Sequence, residues 1–454
     1  MPRPRAVRRP YASGATQRRA SSIKLVADAP LTIHRDRALF DPTLANATAT
    51  SCSAAGPTAT GTLCIGPRFF DSYGAFPPGT NYSHGFNLAA NSPAGATTLE
   101  DTARLACTAL QGQLDVWEVG NEPDLYPGKY RPSTWTVADY VTDWINATNH
   151  LKSYLHQACA AATMAPSITG VGSPFSLVDI FKDGRVKNGN VTQISVHNYM
   201  ANASQPGVTV RTLMNHTNVV DRITKHVDEA QLLTGVRAEY ILGETNSLSH
   251  SGAQGKADVF GAALWVIDFS AYVASTGWIK RVHFHQSVGS AFSAWMPVQV
   301  GNRPPATHPS YYGTIAAATL LNNSDQIQVE VLAVGSKPDV DSGYAVRDEG
   351  GQLKRLALIN LRFFNSTSDL PRGEQTYTVN VAPNQLWYVE RLTAAGADVM
   401  TGVTYNGFAY EYGSCGRPVP VSGIPSDIPV RADKSGQLKI TVLDSEAVIA
   451  KNSL

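Results

Sequence analysis

Two glutamates, Glu122 and Glu244, each follow a strand-like apolar run. The first run reads LDVWEVGNEPD over 114–124, and the second reads AEYILGETNS over 238–247. Pro123 cannot continue a hydrogen-bonded ladder, so a strand must end at Glu122. Glu244 likewise stands just before a polar Thr-Asn-Ser segment. Either glutamate alone fits an ordinary turn, cap or surface residue, but a pair in matching positions indicates a shared chemical role.

Paired carboxyl groups of this kind can cleave a glycosidic bond without a cofactor. One must be protonated to donate to the leaving oxygen, and must then act as a base toward water. The other must be ionised to attack the anomeric carbon, which gives retention when the two groups lie about 5–5.5 Å apart. From the strand order described next, we assign Glu122 as general acid/base and Glu244 as nucleophile. The predicted reaction is retaining β-glycoside hydrolysis by double displacement.

Strand-like and helical segments alternate over residues 62–285, which is typical of βα units around a parallel sheet. The strand-like runs are Leu63–Phe70, Leu114–Glu122, Ala165–Val171, Val191–Met200, Ala238–Thr245 and Ile279–Gln286. Helical spacing occupies Thr136–Ala161, Arg211–Gly235 and Lys256–Thr276. We predict a (β/α)8 TIM-type barrel in which the two glutamates end strands four and seven. Barrel enzymes place their chemistry at the carboxyl ends of these strands.

The pattern changes near residue 325, where short strands separated by Gly, Pro and Asn turns replace the helices. This pattern predicts an all-β sandwich domain. We therefore divide the chain into a basic segment at 1–34, a catalytic barrel at 35–322 and a β-sandwich domain at 323–454.

The start of the barrel is its weak point. Leu63–Phe70 is the one convincing run before strand four, and Ile23–Ala27 and Leu31–His34 are poor substitutes. We therefore expect the first strand to be absent or replaced by the basic segment. A barrel without that strand would leave an open sheet edge.

Further side chains are predicted to lie at the barrel mouth. The strand-six run ISVHNYM places His197 and Tyr199 on the inward face, where the Tyr199 phenol can donate to the Glu244 carboxylate. A barrel-filling aromatic is the alternative role for Tyr199. His285 and Gln286, at the end of strand eight, are candidate substrate contacts. No carboxylate or cysteine accompanies the histidines of the VHFHQ run at ligand spacing, so we expect no metal site.

Composition excludes several classes of partner. The 454 residues carry 37 basic and 36 acidic side chains, a formal net charge of +1, so we expect no nucleic-acid partner. No run approaches the roughly 20 apolar residues that span a bilayer, so we expect no membrane partner. The chain is predicted to be a monomer that acts on a glycan or glycoside without a cofactor.

Two features give opposite indications about the compartment. Eight Asn-x-Ser/Thr sequons favour an extracellular, secreted protein; they lie at Asn46, Asn81, Asn146, Asn190, Asn202, Asn215, Asn322 and Asn365. Residues 1–27 are basic and lack the apolar core of a signal peptide, which fits a transit peptide, a disordered tail or a lost natural start.

Among five cysteines, Cys52 and Cys64 bracket a short loop and can form a disulfide; buried free thiols are the alternative.

Several motifs together resemble family 79 glycoside hydrolases, the β-glucuronidase and heparanase-like enzymes. They are WEVGNEPDLY, HNYM, LGETNSLSHSG, GPRFFDSY, YSHGFNLAAN and the β-rich C-terminal region, and the likeness covers residues 35–454. It implies β-glucuronide substrates and a C-terminal β-sandwich. It also implies that Glu122 is the acid/base and Glu244 the nucleophile. Asn121 would contact the sugar 2-hydroxyl, and Tyr199 would be the nucleophile's hydrogen-bond partner.

The chain departs from the family pattern where a uronate would be recognised. Glucuronate-acting relatives usually carry a tyrosine a few residues after the nucleophile, where this chain has Leu248-Ser249-His250. The loop at 287–295 also lacks a tyrosine or an arginine to hold a uronate carboxylate, although backbone N–H groups around Gly289 can do so. A β-glycosidase of another sugar specificity and a non-catalytic carbohydrate-binding remnant are therefore the alternative functions.

Overall fold

The computed structural model describes most of the chain. The described residues are 24–27, 38–50, 63–76, 79–90, 93–155, 159, 162–182, 186, 190–322 and 327–453. The strands are, in chain order, β1 (Lys24–Ala27), β2 (Ala38–Phe40), β3 (Thr48–Ala49), β4 (Leu63–Ile65), β5 (Tyr82–Phe86), β6 (Leu114–Val119), β7 (Ala162–Ile168), β8 (Val191–Asn202), β9 (Glu239–Ser249), β10 (Ile279–Phe284), β11 (Trp295–Met296), β12 (Ala306–Thr307), β13 (Gln328–Val331), β14 (Asp341–Arg347), β15 (Leu353–Asn360), β16 (Glu374–Asn380), β17 (Leu386–Thr393), β18 (Thr404–Tyr405), β19 (Phe408–Ala409), β20 (Val419–Pro420), β21 (Ile428–Arg431), β22 (Gln437–Leu443) and β23 (Glu446–Lys451). The α-helices are α1 (Pro93–Ala109), α2 (Val137–Tyr154), α3 (Leu177–Lys182), α4 (Val210–Leu213), α5 (His216–Gln231), α6 (Phe260–Thr276) and α7 (Pro309–Leu321).

Seven strands form one parallel sheet in the order β1-β10-β9-β8-β7-β6-β5. Helices follow β5 to β10 in turn, so the predicted alternation of strands and helices is confirmed. The central strands β7 to β9 are buried on both faces, as expected where helices cover a parallel sheet. Because parallel strands all end at the same edge, the segments after β6 and β9 are brought to one side of the sheet.

The predicted first strands are corrected by the structure. Leu63–Ile65 does not enter the parallel sheet, since it pairs with β2 and β3 in a separate three-stranded sheet. The rest of the predicted run, Pro67–Ala75, is a 3₁₀ helix, because proline starts a helix readily and cannot donate to a ladder. Tyr82–Phe86, which the sequence analysis missed, joins the sheet beside β6.

The first strand was expected to be absent or replaced by the basic segment, and a strand of that segment, Lys24–Ala27, is present in the parallel sheet. These four residues pair in parallel with β10, where strand one of a barrel would stand. Leu31–His34, the other substitute, lies outside the described residues. Lys24–Ala27 is short and contains a charge, so its sequence alone shows no clear strand pattern. Its strand conformation depends on pairing with β10, which is distant in the chain.

The C-terminal part of the chain is built from antiparallel strands. A nine-stranded sheet contains β13 to β15, β17 to β21 and β23, and a two-stranded sheet pairs β16 with β22. One apolar core lies between them and includes Tyr377, Trp387, Leu438 and Val448. The predicted change to all-β structure after residue 325 is therefore confirmed.

Three described cysteines in the N-terminal half are disulfide-bonded. Cys107 at the end of α1 is bonded to Cys159, which follows α2, across a separation of 52 residues. Cys64 is also disulfide-bonded, and its predicted partner Cys52 lies outside the described residues. Cys415 is a free, exposed thiol. Among the described residues, no helix is both long and apolar enough to cross a membrane.

Helix α6 joins the parallel sheet to the β-domain. Its residues are apolar on every side and almost all are buried, which is typical of a helix packed on both faces. Val259 gives it no side-chain cap. The N–H groups of Phe260 and Gly261 instead donate to the carbonyls of Val399 and Ala397 at 2.8 and 2.9 Å. The β-domain thus satisfies donors that a helix start leaves free.

A buried carboxylate on α6, Asp268, holds the same interface. It accepts hydrogen bonds from Ser342 Oγ at 2.5 Å and from the Tyr344 hydroxyl at 2.7 Å. His216 Nδ1, at the start of α5, lies 3.0 Å from both of its oxygens. Burial lowers the pKa of the His216 imidazole, but the hydrogen bond and the charge of Asp268 outweigh it and raise that pKa above its ordinary value.

Replacing Asp268 with alanine should lower the free energy of unfolding by about 3–5 kcal/mol, because the change leaves partners of a buried charge unpaired. Asp228→Ala, at an exposed position on α5, is the matched control and should change it by no more than about 0.5 kcal/mol. Because the folded-state pKa of His216 is raised, its stabilisation is full below about pH 6.5 and is lost as pH rises through the folded-state value. Denaturant unfolding should therefore show a deficit for Asp268→Ala that narrows with rising pH. A deficit that grows with pH would contradict this assignment.

Candidate active site

The carboxyl ends of the parallel strands surround a cavity of about 860 Å³. Six of the seven side chains predicted for the site line it: Asn121, Glu122, His197, Tyr199, Glu244 and His285. They come from the ends of β6, β8, β9 and β10, which are distant in sequence. The structure therefore brings the two glutamates together at the predicted edge of the sheet.

Gln286, the seventh predicted residue, does not line the cavity. Its Oε1 accepts a hydrogen bond from the N–H of Ala294 at 2.8 Å. The Ser293 hydroxyl donates to the carbonyl of Ser287 at 2.7 Å across the same loop. Gln286 therefore braces the loop that follows β10, and the residues of that loop that reach the cavity are Ser287, Ser290 and Phe292.

Glu122 lies on a tight turn beyond the end of β6, which stops at Val119. Gly120 turns the chain with a φ of 88°, and a Cβ there would stand 3.0 Å from Leu88. Glu122 itself has φ 48° and ψ 53°, a left-handed conformation that few non-glycine residues adopt. Its N–H donates to the carbonyl of Ser167 at 2.9 Å, which fixes the turn to the end of β7.

Asp124 clamps the other side of this turn. Its buried carboxylate accepts hydrogen bonds from the hydroxyls of Thr169 at 2.5 Å and Ser173 at 2.7 Å, and from the N–H of Thr169. The loop after β7 therefore holds the turn that carries Glu122 from two directions. Strained backbone of this kind persists only where its surroundings enforce it.

Glu244 lies within β9, since this strand continues to Ser249, beyond the polar residues where the sequence predicted its end. The Tyr199 hydroxyl donates to Glu244 Oε1 at 2.8 Å, and His285 Nδ1 lies 3.1 Å from the same oxygen. Burial raises the pKa of the Glu244 carboxyl. The charges of His197 and His285, with the hydrogen bonds from His285 and Tyr199, outweigh burial and hold this pKa far below its ordinary range. Glu244 is therefore a buried carboxylate that stays ionised.

His197 lies between the two glutamates. Its Nδ1 is 3.0 Å from Glu122 Oε1 and 3.9 Å from Glu244 Oε1. One oxygen of each glutamate and a ring nitrogen of His197 all lie within 4.8 Å of one another. Oxygens this close are compatible with the roughly 5–5.5 Å separation of the carboxyl groups in retaining glycosidases.

The same three side chains could offer donors to a metal ion. Two carboxylates and an imidazole suit several divalent cations, and within the described residues this is the group that meets the distance requirement. The contacts of His197 Nδ1 with Glu122 and of Glu244 with Tyr199 already satisfy these atoms within the protein. The close approach of these three side chains is therefore explained by contacts within the protein.

A buried polar layer lies behind Glu244. The Asn198 amide donates to the Thr245 hydroxyl at 3.1 Å, and that hydroxyl donates to the Asn198 carbonyl at 2.6 Å. His226 on α5 contacts the Asn198 amide oxygen at 3.2 Å and the Tyr240 hydroxyl at 2.9 Å. Burial, with the charge of Arg222 beside it, lowers the pKa of His226 to about 3, so this histidine is neutral. The layer fixes the residue next to Glu244 through hydrogen bonds alone.

Two cationic side chains that line the cavity, Lys129 and Arg222, were not predicted from the sequence. Lys129 and Tyr130 belong to the segment that follows Glu122, and Arg222 reaches the cavity from α5. The position of Lys129, seven residues after Glu122, is a signal that could have been used. Arg222 gave no such signal, because a cation on an amphipathic helix is most often a surface residue.

Comparison with known proteins places the chain in a family. Residues 343–449 match the family model described as glycosyl hydrolase family 79 C-terminal beta domain. A β-glucuronidase of Aspergillus niger is 36% identical over 446 residues, covering 91% of this chain and 81% of the relative. A β-glucuronidase of Neurospora crassa is 34% identical over 413 residues, covering 80% of this chain and 73% of the relative.

A solved structure is similar over nearly the whole chain. It is a 4-O-α-L-rhamnosyl-β-D-glucuronidase from Fusarium oxysporum, with a TM-score of 0.78 at 20% identity, covering 97% of this chain and 99% of that one. At this identity the likeness supports the fold alone. The sequence relatives carry the assignment: the chain belongs to glycoside hydrolase family 79 and is a glycosidase.

Proposed function

We propose that this chain hydrolyses β-glucuronides with retention of configuration, by a double displacement at Glu122 and Glu244. The observation that carries the mechanism is the placement of His197 between two glutamates whose nearest oxygens lie within 4.8 Å. The substrate class rests on the two fungal relatives, which are β-glucuronidases.

In the first step, the Glu244 carboxylate attacks the anomeric carbon and Glu122 gives its proton to the departing oxygen. The bond to the leaving group breaks as an ester forms between the sugar and Glu244. In the second step, Glu122 removes a proton from water, and the hydroxide attacks the same carbon to release the sugar. Glu122 ends protonated and Glu244 ends ionised, so no cofactor is needed.

The surroundings of the two glutamates support these roles. The Glu122 side chain is 27% exposed and that of Glu244 is 10% exposed. The more exposed group can exchange protons with water, as a general acid/base must. The less exposed one is kept ionised by its histidine and tyrosine neighbours, as a nucleophile must be.

The remaining predicted residues receive supporting roles in this proposal. Asn121 precedes Glu122 on the cavity wall and would contact the sugar 2-hydroxyl. His197 would orient the Glu122 carboxyl group and contact the sugar ring with His285. Gln286 would act indirectly, by holding the loop that carries Phe292 against the His285 ring, where the ring centroids are 5.2 Å apart.

We further propose that the chain has the two-domain architecture predicted from its sequence, a barrel followed by a β-sandwich. The seven parallel strands would belong to a (β/α)8 barrel at 35–322, extended to include Lys24–Ala27 from the basic segment at 1–34. The antiparallel sheets at 323–454 would form a β-sandwich, which their shared core supports.

Secretion as a monomeric glycoprotein is also part of the proposal. Disulfides at Cys64 and between Cys107 and Cys159 are typical of proteins that fold in an oxidising compartment. Seven sequon asparagines are exposed: Asn46, Asn81, Asn146, Asn190, Asn202, Asn322 and Asn365. Asn215 is half-buried and its side chain caps α5, so it is the poorest glycosylation site.

Removing the nucleophile should nearly abolish turnover. Glu244→Gln keeps the shape of the side chain but cannot form the ester, and kcat on an aryl β-glucuronide should fall by ~10³-fold or more. A mechanism-based glucuronide inhibitor should label Glu244 in the wild-type protein, which peptide mapping detects. Attachment to another residue would overturn the assignment.

A panel of aryl glycosides distinguishes a glucuronidase from a β-glycosidase of other specificity, and no turnover from a folded preparation would favour the non-catalytic alternative.

Removing the acid/base should give a different pattern. Glu122→Ala should lose most activity on substrates with poorly acidic leaving alcohols and far less on those with acidic phenols, which depart without protonation. Azide should restore turnover and yield a β-glucuronosyl azide, because a small anion needs no general base and fits the space left by the side chain. Equal losses on both kinds of leaving group would contradict the role of Glu122.

Tyr199→Phe should change the pH profile. Without the phenol, the Glu244 carboxylate loses a hydrogen bond to its charged form, so its pKa rises toward ordinary values. The acidic limb of the profile of kcat/KM should therefore move to higher pH, and kcat should fall about 10-fold or more. Tyr154→Phe, at an exposed position outside the cavity, is the control. An unmoved acidic limb would show that Tyr199 does not maintain the ionisation of Glu244.

A further inference from the structure

The wall of the active-site cavity carries a positive charge that no described carboxylate neutralises. Lys129 lies on this wall, in the segment that begins with Glu122. Its ammonium group lies 4.8 Å from the centroid of the Tyr130 ring, and no described carboxylate forms an ion pair with it. The wall therefore presents a cation toward space that a substrate would occupy.

The Tyr130 ring beneath the Lys129 ammonium belongs to a packed group of aromatic rings. The Tyr130 ring meets the buried Tyr126 ring edge to face, with centroids 5.4 Å apart. Tyr126 in turn stacks on Trp135 at 5.7 Å and 20°. Arg131 lies over both of these deeper rings and donates to three backbone carbonyls, those of Leu88, Ala89 and Tyr130. A lysine placed by a rigid ring loses less freedom when it binds a ligand.

The other permanent cation of the cavity is already engaged. Arg222 donates from Nη2 to the carbonyl of Met200 at 3.1 Å, and burial lowers the pKa of its guanidinium. The cavity also holds the ionised Glu244, which would repel an anionic substrate. A second anion in the cavity therefore needs a compensating cation, and Lys129 is exposed and lacks a charged partner.

We propose that Lys129, positioned by Tyr130, binds an anionic group of the substrate. Two sources supply such chemistry: the carboxylate of the sugar that is released as a uronate, or a carboxylate or sulfate on the leaving group. This inference rests on the proposed glucuronidase function and deepens it. It supplies a charge for an anionic substrate in a chain that has serine and histidine where glucuronate-acting relatives usually have tyrosine.

Two substrates distinguish an anionic group on the sugar from one on the leaving group. Phenyl β-glucuronide carries a charge on the sugar alone, and 3-carboxyphenyl β-glucuronide carries a second charge on a leaving phenol of similar acidity. Lys129→Met removes the charge and keeps most of the apolar stem. At low ionic strength it should lower kcat/KM by about two- to fivefold, the effect of an exposed ion pair. An equal fall on both substrates identifies the sugar carboxylate, and a fall on the second alone identifies the leaving group.

Salt and matched variants distinguish charge from structure. The loss should vanish in about 1 M salt, where the screening length is about 3 Å, and Lys129→Arg should retain wild-type kinetics. Lys225→Met, at an exposed position of α5 outside the cavity, should behave as wild type. An unchanged kcat/KM on both substrates, or a loss that salt does not affect, would overturn the proposal.

A binding measurement keeps the test independent of turnover. If the wild-type protein hydrolyses neither substrate, the proposed function fails, and NMR titration with glucuronate and with 3-hydroxybenzoate then tests Lys129 alone. Weaker, salt-dependent binding of either anion to Lys129→Met would support the anion site. Identical binding to both proteins would exclude it.

Discussion

The structure depends on keeping one buried carboxylate, Glu244, ionised beside another carboxyl group. Burial opposes this strongly, since an unpaired charge in a dry site is unstable and protonates instead. The protein offsets burial with two histidines and a phenol that all point at one side chain. Each comes from a different place: His197 and Tyr199 from β8, and His285 from the residue after β10. The parallel sheet is what allows these distant segments to meet at a few ångströms.

Several local features follow from that requirement. Gly243 precedes Glu244, and a Cβ at this position would stand 2.0 Å from Ser195 Oγ, so β8 and β9 reach their observed packing only with glycine there. The layer of Asn198, Thr245 and neutral His226 adds rigidity without adding charge. A protonated His226 would add a positive charge behind the site, and burial with the charge of Arg222 beside it prevents this. The backbone of Glu122 is held in its left-handed conformation by the hydrogen bond to Ser167 and by the Asp124 clamp.

The alternation of side chains along a strand is a local pattern with a fixed period, and it allowed the two glutamates, His197 and Tyr199 to be predicted near strand ends that face one cavity. It did not allow the start of the sheet to be predicted. Lys24–Ala27 is recognised as a strand only through its pairing with β10, and Leu63–Ile65 is apolar enough for the sheet yet pairs elsewhere. The bond between Cys107 and Cys159 was missed for the same reason, since it depends on how α1 and α2 pack. Gln286 was predicted to contact the substrate because it ends the strand-eight run, but its side chain is hydrogen-bonded within the loop after β10.

The β-domain contributes to the site although none of its described residues lines the cavity. Helix α6, which follows the nucleophile strand, is apolar on every side and begins without a side-chain cap. Carbonyls of Ala397 and Val399 satisfy its first N–H groups, and Ser342 and Tyr344 satisfy Asp268 in its interior. In water alone, this helix would expose a continuous apolar surface, and without the β-domain Asp268 would lose two of its hydrogen-bond donors. The parallel sheet can therefore bury the helix behind Glu244 only when the β-domain covers its other face, which makes the second domain a structural requirement of the catalytic one.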